Sequence, residues 1–269
     1  MLIKIFLAVS SISPHLKKLL WRQWYQFLAS HYQTKEWSFM NYGYASVDDH
    51  SETLRLNEAD EPDRHAIQLY HHVASAVDLT NLDVLEIGSG RGGGASYVGR
   101  YLKPKALTGV DFSDSAIQFC KSAHAIHRLS FIKGDAEALA LDEASFDAVI
   151  NIESSHCYGS MEDFLANAKR VLRQNGYFLY ADFRNENDVA LLHSQMERSG
   201  MKILKREDIT ANVLRSLDLD HQRKLLLIRA LFPDWLLKPF QEFAGVKGSK
   251  IYSGFKSGTM IYLHYVLQK

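Results

Sequence analysis

A histidine and an aspartate follow two consecutive apolar segments in the second half of the chain. His156 lies in the run Asn151-Ile-Glu-Ser-Ser-His-Cys-Tyr158, and Asp182 lies in Tyr180-Ala-Asp-Phe-Arg184. A hydroxyl is a poor nucleophile until its proton is being removed, and histidine has a suitable pKa for this near neutral pH. Asp182 could orient the imidazole or accept a hydrogen bond from a substrate. Alternatively, His156 bonds only to backbone and Asp182 caps the following helix.

A glycine-rich loop follows the apolar run Val84-Leu-Glu-Ile87, with five glycines in the seven residues 88–94. Glycine is favoured where the backbone turns tightly or approaches a ligand closely. Gly88, Gly90 and Gly93 match the G-x-G-x-x-G spacing of dinucleotide sites, so the glycines alone do not select a ligand. The carboxylate of Glu86 would repel a pyrophosphate and therefore favours a ligand without phosphates. A glycine-rich turn that binds nothing is the alternative.

Polar side chains also stand at the ends of the next three apolar segments. Asp111 lies 23 residues after Gly88 and could accept both ribose hydroxyls of an adenosine. Asp135 ends the third segment, and residues 151–153 end the fourth. Ligands of open parallel sheets bind outside the carboxyl ends of the strands, so one nucleoside-binding crevice is predicted there. Taken singly, Asp111 could instead cap a helix and Asp135 could belong to a turn.

The periodicity of apolar residues predicts alternating strands and helices from Asp83 onward. The predicted strands are 83–87, 106–111, 129–133, 146–152, 176–182, 201–207 and 260–267, and the predicted helices lie near 92–102, 114–127, 161–172 and 186–199. A further helix is expected from Pro62 to about Val77. This alternation predicts an α/β protein with a Rossmann-like, seven-stranded, mostly parallel sheet and helices on both faces.

Four segments are expected along the chain. Residues 1–60 form an N-terminal amphipathic helix and a substrate-side segment, and residues 61–209 form the nucleoside-binding core. Residues 210–258 are too long for a simple connection and are predicted to be a helical lid. Residues 259–269 add the final strand of the core.

The bulk composition excludes several classes of function. Lys plus Arg and Asp plus Glu number 31 each, so no basic field favours nucleic acid. The two cysteines, Cys120 and Cys157, make no disulfide framework and no C-x-x-C metal motif. The remaining histidines, such as His71 and His72, show no ligand spacing, so no metal is expected. A reducing cytoplasm is the simplest location.

Residues 14–28 predict a basic, aromatic-rich amphipathic helix, with Lys17, Lys18 and Arg22 beside an apolar face. Such a helix can lie on the inner face of a membrane as a peripheral contact. Its apolar face could instead pack on the body of the protein, or on a second subunit in a homodimer. Residues 1–9 are apolar but too short to cross a bilayer, and no clear cleavage site follows them.

The loop sequence Val84-Leu-Glu-Ile-Gly-Ser-Gly90 resembles motif I of class I methyltransferases that use S-adenosylmethionine (SAM). Over most of its length the chain is similar to the phthiotriol/phenolphthiotriol dimycocerosates methyltransferases, which O-methylate long-chain lipid polyketides. The strings that carry this resemblance include Asn41-Tyr-Gly-Tyr44, Gly92-Gly-Gly-Ala-Ser-Tyr97, Gly134-Asp-Ala-Glu137, Ser155-His-Cys-Tyr158 and Tyr180-Ala-Asp-Phe-Arg184. Ser155-His-Cys-Tyr158 makes the resemblance more specific than the glycine loop alone.

The resemblance implies a SAM site and a catalytic pair. The implied cofactor-binding residues are Glu86, Gly88, Ser89, Gly90, Asp111, Phe112, Asp135, Ala136, Asn151 and Glu153, with Asp135 at the adenine edge. His156 is expected to act as the general base with Asp182 beside it. The expected activity is O-methylation of a hydroxyl on a hydrophobic small molecule, such as a polyketide or a lipid.

Three other functions remain open from the sequence. The same SAM site could serve methylation at carbon on a quinone-like or sterol-like substrate. The chain could also bind SAM without transferring its methyl group. A dehydrogenase on the same fold is disfavoured by Glu86, for the reason given above.

Overall fold

The computed structural model describes residues 34–48 and 54–269. The predicted amphipathic helix at 14–28, and with it the N-terminal helical segment of the expected fold, lie outside the described residues. Seven strands form one sheet in the order β3-β2-β1-β4-β5-β7-β6. The strands are β1 Asp83–Ile87, β2 Ala106–Asp111, β3 Leu129–Lys133, β4 Phe146–Ile152, β5 Leu172–Asn185, β6 Lys202–Asp208 and β7 Met260–Gln268.

The pairing of the strands confirms the predicted mostly parallel sheet. Strands β1 to β5 pair in parallel, whereas β7 runs antiparallel between β5 and β6. The strand order reverses between β1 and β4, because β2 and β3 lie on one side of β1 and the later strands lie on the other. Such a switch point opens a crevice at the carboxyl ends of the central strands.

Eight α-helices are present among the described residues. They are α1 Arg64–Ala74, α2 Gly93–Tyr101, α3 Asp114–Ala123, α4 Met161–Val171, α5 Glu186–Arg198, α6 Thr210–Leu231, α7 Asp234–Phe243 and α8 Lys250–Ser257. Their starts have local causes. The Ser113 side chain accepts a hydrogen bond from the Ala116 amide at the start of α3, and Ser160 does the same for Asp163 in α4.

Strand β5 is longer than the predicted 176–182. Helix α4 ends at Val171, and the strand begins at the next residue. Its carboxyl end continues to Asn185 because β7 supplies hydrogen-bonding partners up to Met260. The sequence of β5 alone could not show this partner, which lies at the other end of the chain.

Residues 210–258 contain the three helices α6, α7 and α8. Side chains from α6 and α7 form a separate apolar cluster with Trp37, in which Phe232 and Phe240 stack with ring centroids 3.5 Å apart. This cluster joins the first described segment of the chain to the helices before β7. None of the helices in residues 34–48 and 54–269 has the length and apolar character needed to cross a membrane.

Candidate active site

A deep cleft opens at the carboxyl ends of the central strands, where the strand order reverses. It contains about 1440 Å³ of space, including the part that is open to solvent. Its walls are formed by residues 38–42, Tyr70, residues 87–91, Gly93, Gly94, residues 110–113, Ala116, residues 134–137, residues 152–154, residues 156–158, Phe183 and Phe243. Eight of the ten residues predicted to bind the cofactor are among them: Gly88, Ser89, Gly90, Asp111, Phe112, Asp135, Ala136 and Glu153.

The glycine loop brings bare backbone to the cleft. Gly88 has a φ of 78° and Gly90 a φ of 52°, a left-handed conformation that other residues rarely adopt. A Cβ on Gly88 would also lie 2.6 Å from the Cβ of Ser154. The loop can therefore adopt this path only with glycine, and it leaves room where a nucleoside ligand would lie.

Asp111 ends β2 and fixes the loop from the opposite side. Its carboxylate accepts hydrogen bonds from the amides of Gly90 and Ser113, each at 2.9 Å. Burial raises the pKa of Asp111 to about 6, against these backbone hydrogen bonds. Each carboxylate oxygen can accept more than one hydrogen bond, so the same group can bind ribose hydroxyls while it holds the loop.

Glu86 and Asn151, which were also predicted to bind the cofactor, lie behind the cleft wall. Glu86 accepts a hydrogen bond of 2.7 Å from the hydroxyl of Tyr70, which does line the cleft. The amide nitrogen of Asn151 donates to the backbone oxygen of Ile87 at 2.8 Å and to Ser154 Oγ at 2.7 Å. Both side chains therefore support residues that line the cleft.

Burial affects the ionisation of Glu86. It raises the pKa of this carboxyl to about 8, although the hydrogen bond from Tyr70 opposes the shift. Its Oε2 atom has no hydrogen-bond partner among the described residues. Ser89 Oγ and Asn41 Oδ1, on two residues that line the cleft, are buried and likewise lack a protein partner. Buried polar atoms without a partner are rare in native proteins, so Ser89 Oγ and Asn41 Oδ1 are suited to bind a polar ligand.

His156 and Asp182 form a hydrogen-bonded pair at one wall of the cleft. His156 Nδ1 lies 2.9 Å from Asp182 Oδ1, and the backbone amide of His156 donates to Asp182 Oδ2 at 2.8 Å. Asp182 itself is fully buried and also accepts a hydrogen bond of 2.6 Å from Ser155 Oγ. Arg184 Nη1 lies 3.2 Å from the same carboxylate.

The charges of this pair are mutually stabilised. Burial opposes ionisation of Asp182, but His156 and Arg184 outweigh it and lower the pKa of the carboxyl. Burial likewise opposes protonation of His156, but Cys157 and Asp182 beside the ring outweigh it and raise the pKa of the imidazole. With its Nδ1 on Asp182, the imidazole can meet a molecule in the cleft only through Nε2.

Glu153 lines the cleft from a strained position. Its φ is 46°, in the left-handed region that a non-glycine residue adopts at a cost. One carboxylate oxygen accepts hydrogen bonds of 2.8 Å from the backbone amide of Tyr42 and from the hydroxyl of Tyr262. Burial raises the pKa of Glu153 to about 7, although both hydrogen bonds oppose the shift.

Residues 38–42, Tyr70 and Phe183 also line the cleft but were not predicted as site residues. Arg91 attaches the segment before residue 38 to the glycine loop through hydrogen bonds to the backbone oxygens of Trp37 and Thr34. Its guanidinium also lies over the ring of Phe119, 4.2 Å from the centroid. For residues 38–42 and Phe183, the sequence signals were the placement of residues 1–60 on the substrate side and the strings Asn41-Tyr-Gly-Tyr44 and Tyr180-Ala-Asp-Phe-Arg184, which carry the family resemblance.

Comparisons with known proteins identify the family. A family model described as a methyltransferase domain matches residues 85–180. The chain is 38% identical to the phthiotriol/phenolphthiotriol dimycocerosates methyltransferase of Mycobacterium tuberculosis over 94% of this chain and 93% of that protein. The chain belongs to this family of SAM-dependent methyltransferases. The methyltransferase is also 39% identical to a fatty-acid O-methyltransferase of Mycolicibacterium smegmatis, over 74% of each chain.

Solved structures agree with this fold. The [4+2]-cyclase SpnF superimposes with a TM-score of 0.69 at 17% identity, covering 92% of this chain and 94% of that one. The cofactor of the methyltransferase is SAM, and the cleft suits it. SAM is a nucleoside with a charged amino-acid tail, and it requires close approach to the backbone and polar partners. The cleft offers both, through the glycine loop, the Asp111 carboxylate and the unpartnered oxygens of Ser89 and Asn41. When bound, SAM supplies an electrophilic methyl group on a positively charged sulfur.

Proposed function

We propose that the methyltransferase O-methylates a hydroxyl group on a hydrophobic, lipid-like acceptor, with His156 as the general base. The observation that supports this proposal best is the His156–Asp182 pair, which faces the same cleft as the glycine loop. The names of the relatives point in the same direction, because they describe methyltransferases of dimycocerosates and of fatty acids.

A second cavity beside the cleft supports a hydrophobic acceptor. It shares Phe39, Met40, Asn41 and Phe243 with the cleft wall. Its other walls come mainly from apolar side chains of α6, α7 and the short connection between them, including Leu227, Ile228, Leu231, Phe232 and Phe240. A hydrocarbon chain could lie there while its polar end enters the cleft.

The two charged side chains of the second cavity are already engaged by the protein. Arg223 pairs with Asp220 and with Asp63, and Lys224 donates to the backbone oxygen of Ala244 at 3.2 Å. The cavity therefore offers mostly apolar surface to an acceptor, as expected for a site that binds a hydrocarbon chain.

The pair of His156 and Asp182 supports a defined proton transfer. Asp182 holds Nδ1 and fixes the orientation of the ring, so Nε2 takes the hydroxyl proton as the acceptor oxygen becomes methylated. The resulting imidazolium lies beside the Asp182 carboxylate, which stabilises it. Much of the remaining rate acceleration comes from alignment of the acceptor oxygen with the methyl group by the walls of the cleft.

The acceptor test uses SAM labelled on its methyl group. The purified chain is incubated in separate reactions with a long-chain secondary alcohol, with a long-chain fatty acid and with an organic extract of the source cells. We expect label in the organic phase as a methoxy group, whose carbon is bound to oxygen and is identified by NMR. A labelled methyl group bound to a carbon atom of the product would replace the proposal by C-methylation. Label found only in the aqueous phase would exclude a lipid-like acceptor.

The variant Asp111→Ala provides the control for cofactor binding. We expect calorimetry to show weaker SAM binding, because the variant loses the ribose acceptor and the hydrogen bond to Gly90. The unmodified chain could bind SAM and still form no S-adenosylhomocysteine with any of the three acceptor sources. That result would favour the alternative of a protein that binds SAM but does not transfer its methyl group.

A further inference from the structure

Three side chains that commonly bind metal ions converge outside the cleft. His72 on α1, Glu207 on β6 and His264 on β7 each direct one ligand atom toward the others, and these atoms all lie within 4.8 Å of one another. His72 Nε2 lies 3.0 Å from Glu207 Oε2, and His264 Nδ1 lies 3.3 Å from the same oxygen. None of the three residues lines the cleft.

The fold rather than the sequence brings these residues together. Glu207 and His264 are direct partners in the antiparallel pairing of β6 with β7. Helix α1 places His72 over this pair, although it lies far away along the chain. The ring of Tyr44 stacks on the His72 ring with centroids 4.3 Å apart, which fixes the orientation of that imidazole. The sequence showed no ligand spacing because each element contributes one residue.

The cluster contains an unpartnered buried atom. His264 is fully buried, yet its Nε2 has no hydrogen-bond partner among the described residues. The ligand atom that faces Glu207 is the other ring nitrogen, Nδ1, and a metal ion on Nδ1 would fix the tautomer that carries the ring proton on Nε2. The centroids of the His264 and His72 rings are 5.0 Å apart, so two imidazoles share this small space.

We propose that His72, Glu207 and His264 form a binding site for a divalent transition-metal ion, with zinc the best match. Two imidazoles and one carboxylate are a ligand set typical of zinc. Tetrahedral ligands at about 2.0–2.1 Å from zinc are separated from one another by roughly 3.3 Å. The separations of 3.0 and 3.3 Å around Glu207 Oε2 are close to this value, and the two imidazole nitrogens lie within 4.8 Å of each other.

The ammonium group of Lys205 would compete with a metal ion for the Glu207 carboxylate. Its ammonium lies 2.8 Å from Glu207 Oε2, and its side chain is 46% exposed. A bound ion would displace this ammonium into solvent, where the long lysine side chain can reach. The site is consequently expected to bind zinc more tightly when Lys205 is absent.

Metal binding at this site would link three elements that otherwise only pack together. The ion would join α1 to the edge strand β6 and to β7. Helix α1 also carries Tyr70 in the cleft wall, and Tyr44 follows the segment 38–42 that lines the cleft. The metal would therefore stabilise the side of the cleft formed by α1, without taking part in methyl transfer.

The test measures zinc binding by the full chain without a histidine tag, after removal of metals with a chelator. Calorimetry should show one zinc ion per chain and a raised Tm with zinc. Cobalt(II) should give the visible absorption of a tetrahedral site. Lys205→Met should bind zinc more tightly than the unmodified chain, whereas Glu207→Gln should bind about ten-fold or more weakly.

The matched control is His127→Gln, which removes an exposed histidine outside the cluster. It should bind zinc like the unmodified chain. Equal zinc affinity in the Glu207→Gln, Lys205→Met and unmodified proteins would overturn the site, as would the absence of stoichiometric binding. Because Glu207 and Lys205 are both partly exposed, neither substitution disturbs the buried core, and the comparison is valid even if a His264 variant fails to fold.

Discussion

The proton on His156 is controlled by the groups that contact its ring. Asp182 and Cys157 favour the imidazolium, and Glu153 lies close enough for its charge to interact with that of His156. A general base must be neutral before it accepts a proton, so a pKa raised to about 10 keeps most of His156 protonated at neutral pH and favours catalysis at alkaline pH. The same contacts make the imidazolium that forms during the reaction more stable.

Replacement of His156 by glutamine is expected to slow methyl transfer by about 100-fold or more. Glutamine retains a polar side chain beside Asp182 but cannot take a proton. SAM affinity, measured by calorimetry, should remain within about two-fold, because neither Asp111 nor the glycine loop changes. The measurement is kcat at saturating SAM, with the acceptor that the labelling experiment identifies.

The pH profile separates this role from a structural one. In the unmodified enzyme, kcat should rise with pH as His156 loses its proton, since its pKa is raised above the usual value. In His156→Gln that rise should disappear, and any remaining dependence near neutral pH would belong to Glu153. An unchanged profile in the variant would assign the proton transfer to another group.

The order of the polar residues along the sequence predicts the cleft but not the direction of every side chain. Asp111 ends β2, Asp135 lies two residues after β3, and both line the cleft, whereas Glu86 and Asn151 face its supporting layer. Successive side chains of a strand point to opposite faces, so a shift of one residue at the strand end changes the role of the residue. The predicted bounds of β1 and β4 are those of the structure, so strand bounds alone did not show which way the side chains of Glu86 and Asn151 point.

Helices α1 and α2 approach each other closely at Gly94. A Cβ at this position would overlap the ring of Tyr70, whose hydroxyl donates to Glu86 at 2.7 Å. The absence of a side chain at Gly94 is therefore what allows Tyr70 to reach both Glu86 and the cleft wall. This glycine acts through packing rather than through an unusual φ, unlike Gly88 in the preceding loop.

The variant Gly94→Ala is expected to lower the free energy of unfolding by about 1–3 kcal/mol, because Tyr70 must move. SAM affinity should fall as well, since Tyr70 lines the cleft. The control is Gly99→Ala in the same helix, where the added Cβ meets nothing closer than 3.7 Å. That variant should be more stable by up to about 1 kcal/mol. Denaturant unfolding measures both, and equal stability of the two variants would contradict this account of Gly94.

Element boundaries were predictable where the local pattern is strong. Strands β1, β2, β3 and β4 have the bounds that the apolar periodicity predicts. Strand β5 exceeds its predicted range because Phe183, Arg184 and Asn185 pair with the first residues of β7. No local pattern in residues 183–185 indicates that pairing, so the tertiary partner decided the length.

Both ends of the described part of the chain meet at one wall of the cleft. Glu153 is held by Tyr42 from the first described segment and by Tyr262 from the last strand. Phe183 packs against both tyrosines, with centroids 5.5 Å from Tyr42 and 6.4 Å from Tyr262. The sequence could predict a crevice lined by residues that follow consecutive strands, but not an arrangement that joins both ends of the described chain.

Arg91 holds Thr34 and Trp37, at the start of the described chain, beside the glycine loop. The amphipathic helix predicted at residues 14–28 ends six residues before Thr34 in the sequence. We propose that this helix contacts anionic membrane surfaces from the cytoplasmic side, through Lys17, Lys18 and Arg22.

Removal of residues 1–32 is expected to abolish sedimentation of the protein with anionic vesicles, while calorimetry still shows SAM binding. Replacing Lys17, Lys18 and Arg22 by glutamine in the full chain should weaken vesicle binding by about 100-fold, at about 1 kcal/mol per basic side chain. Added salt should weaken binding of the unmodified chain, because it screens these charges. If the shortened protein sediments as before, the helix has another partner, such as the body of the protein or a second subunit. A monomer–dimer difference between the two proteins in analytical ultracentrifugation would then identify the subunit contact.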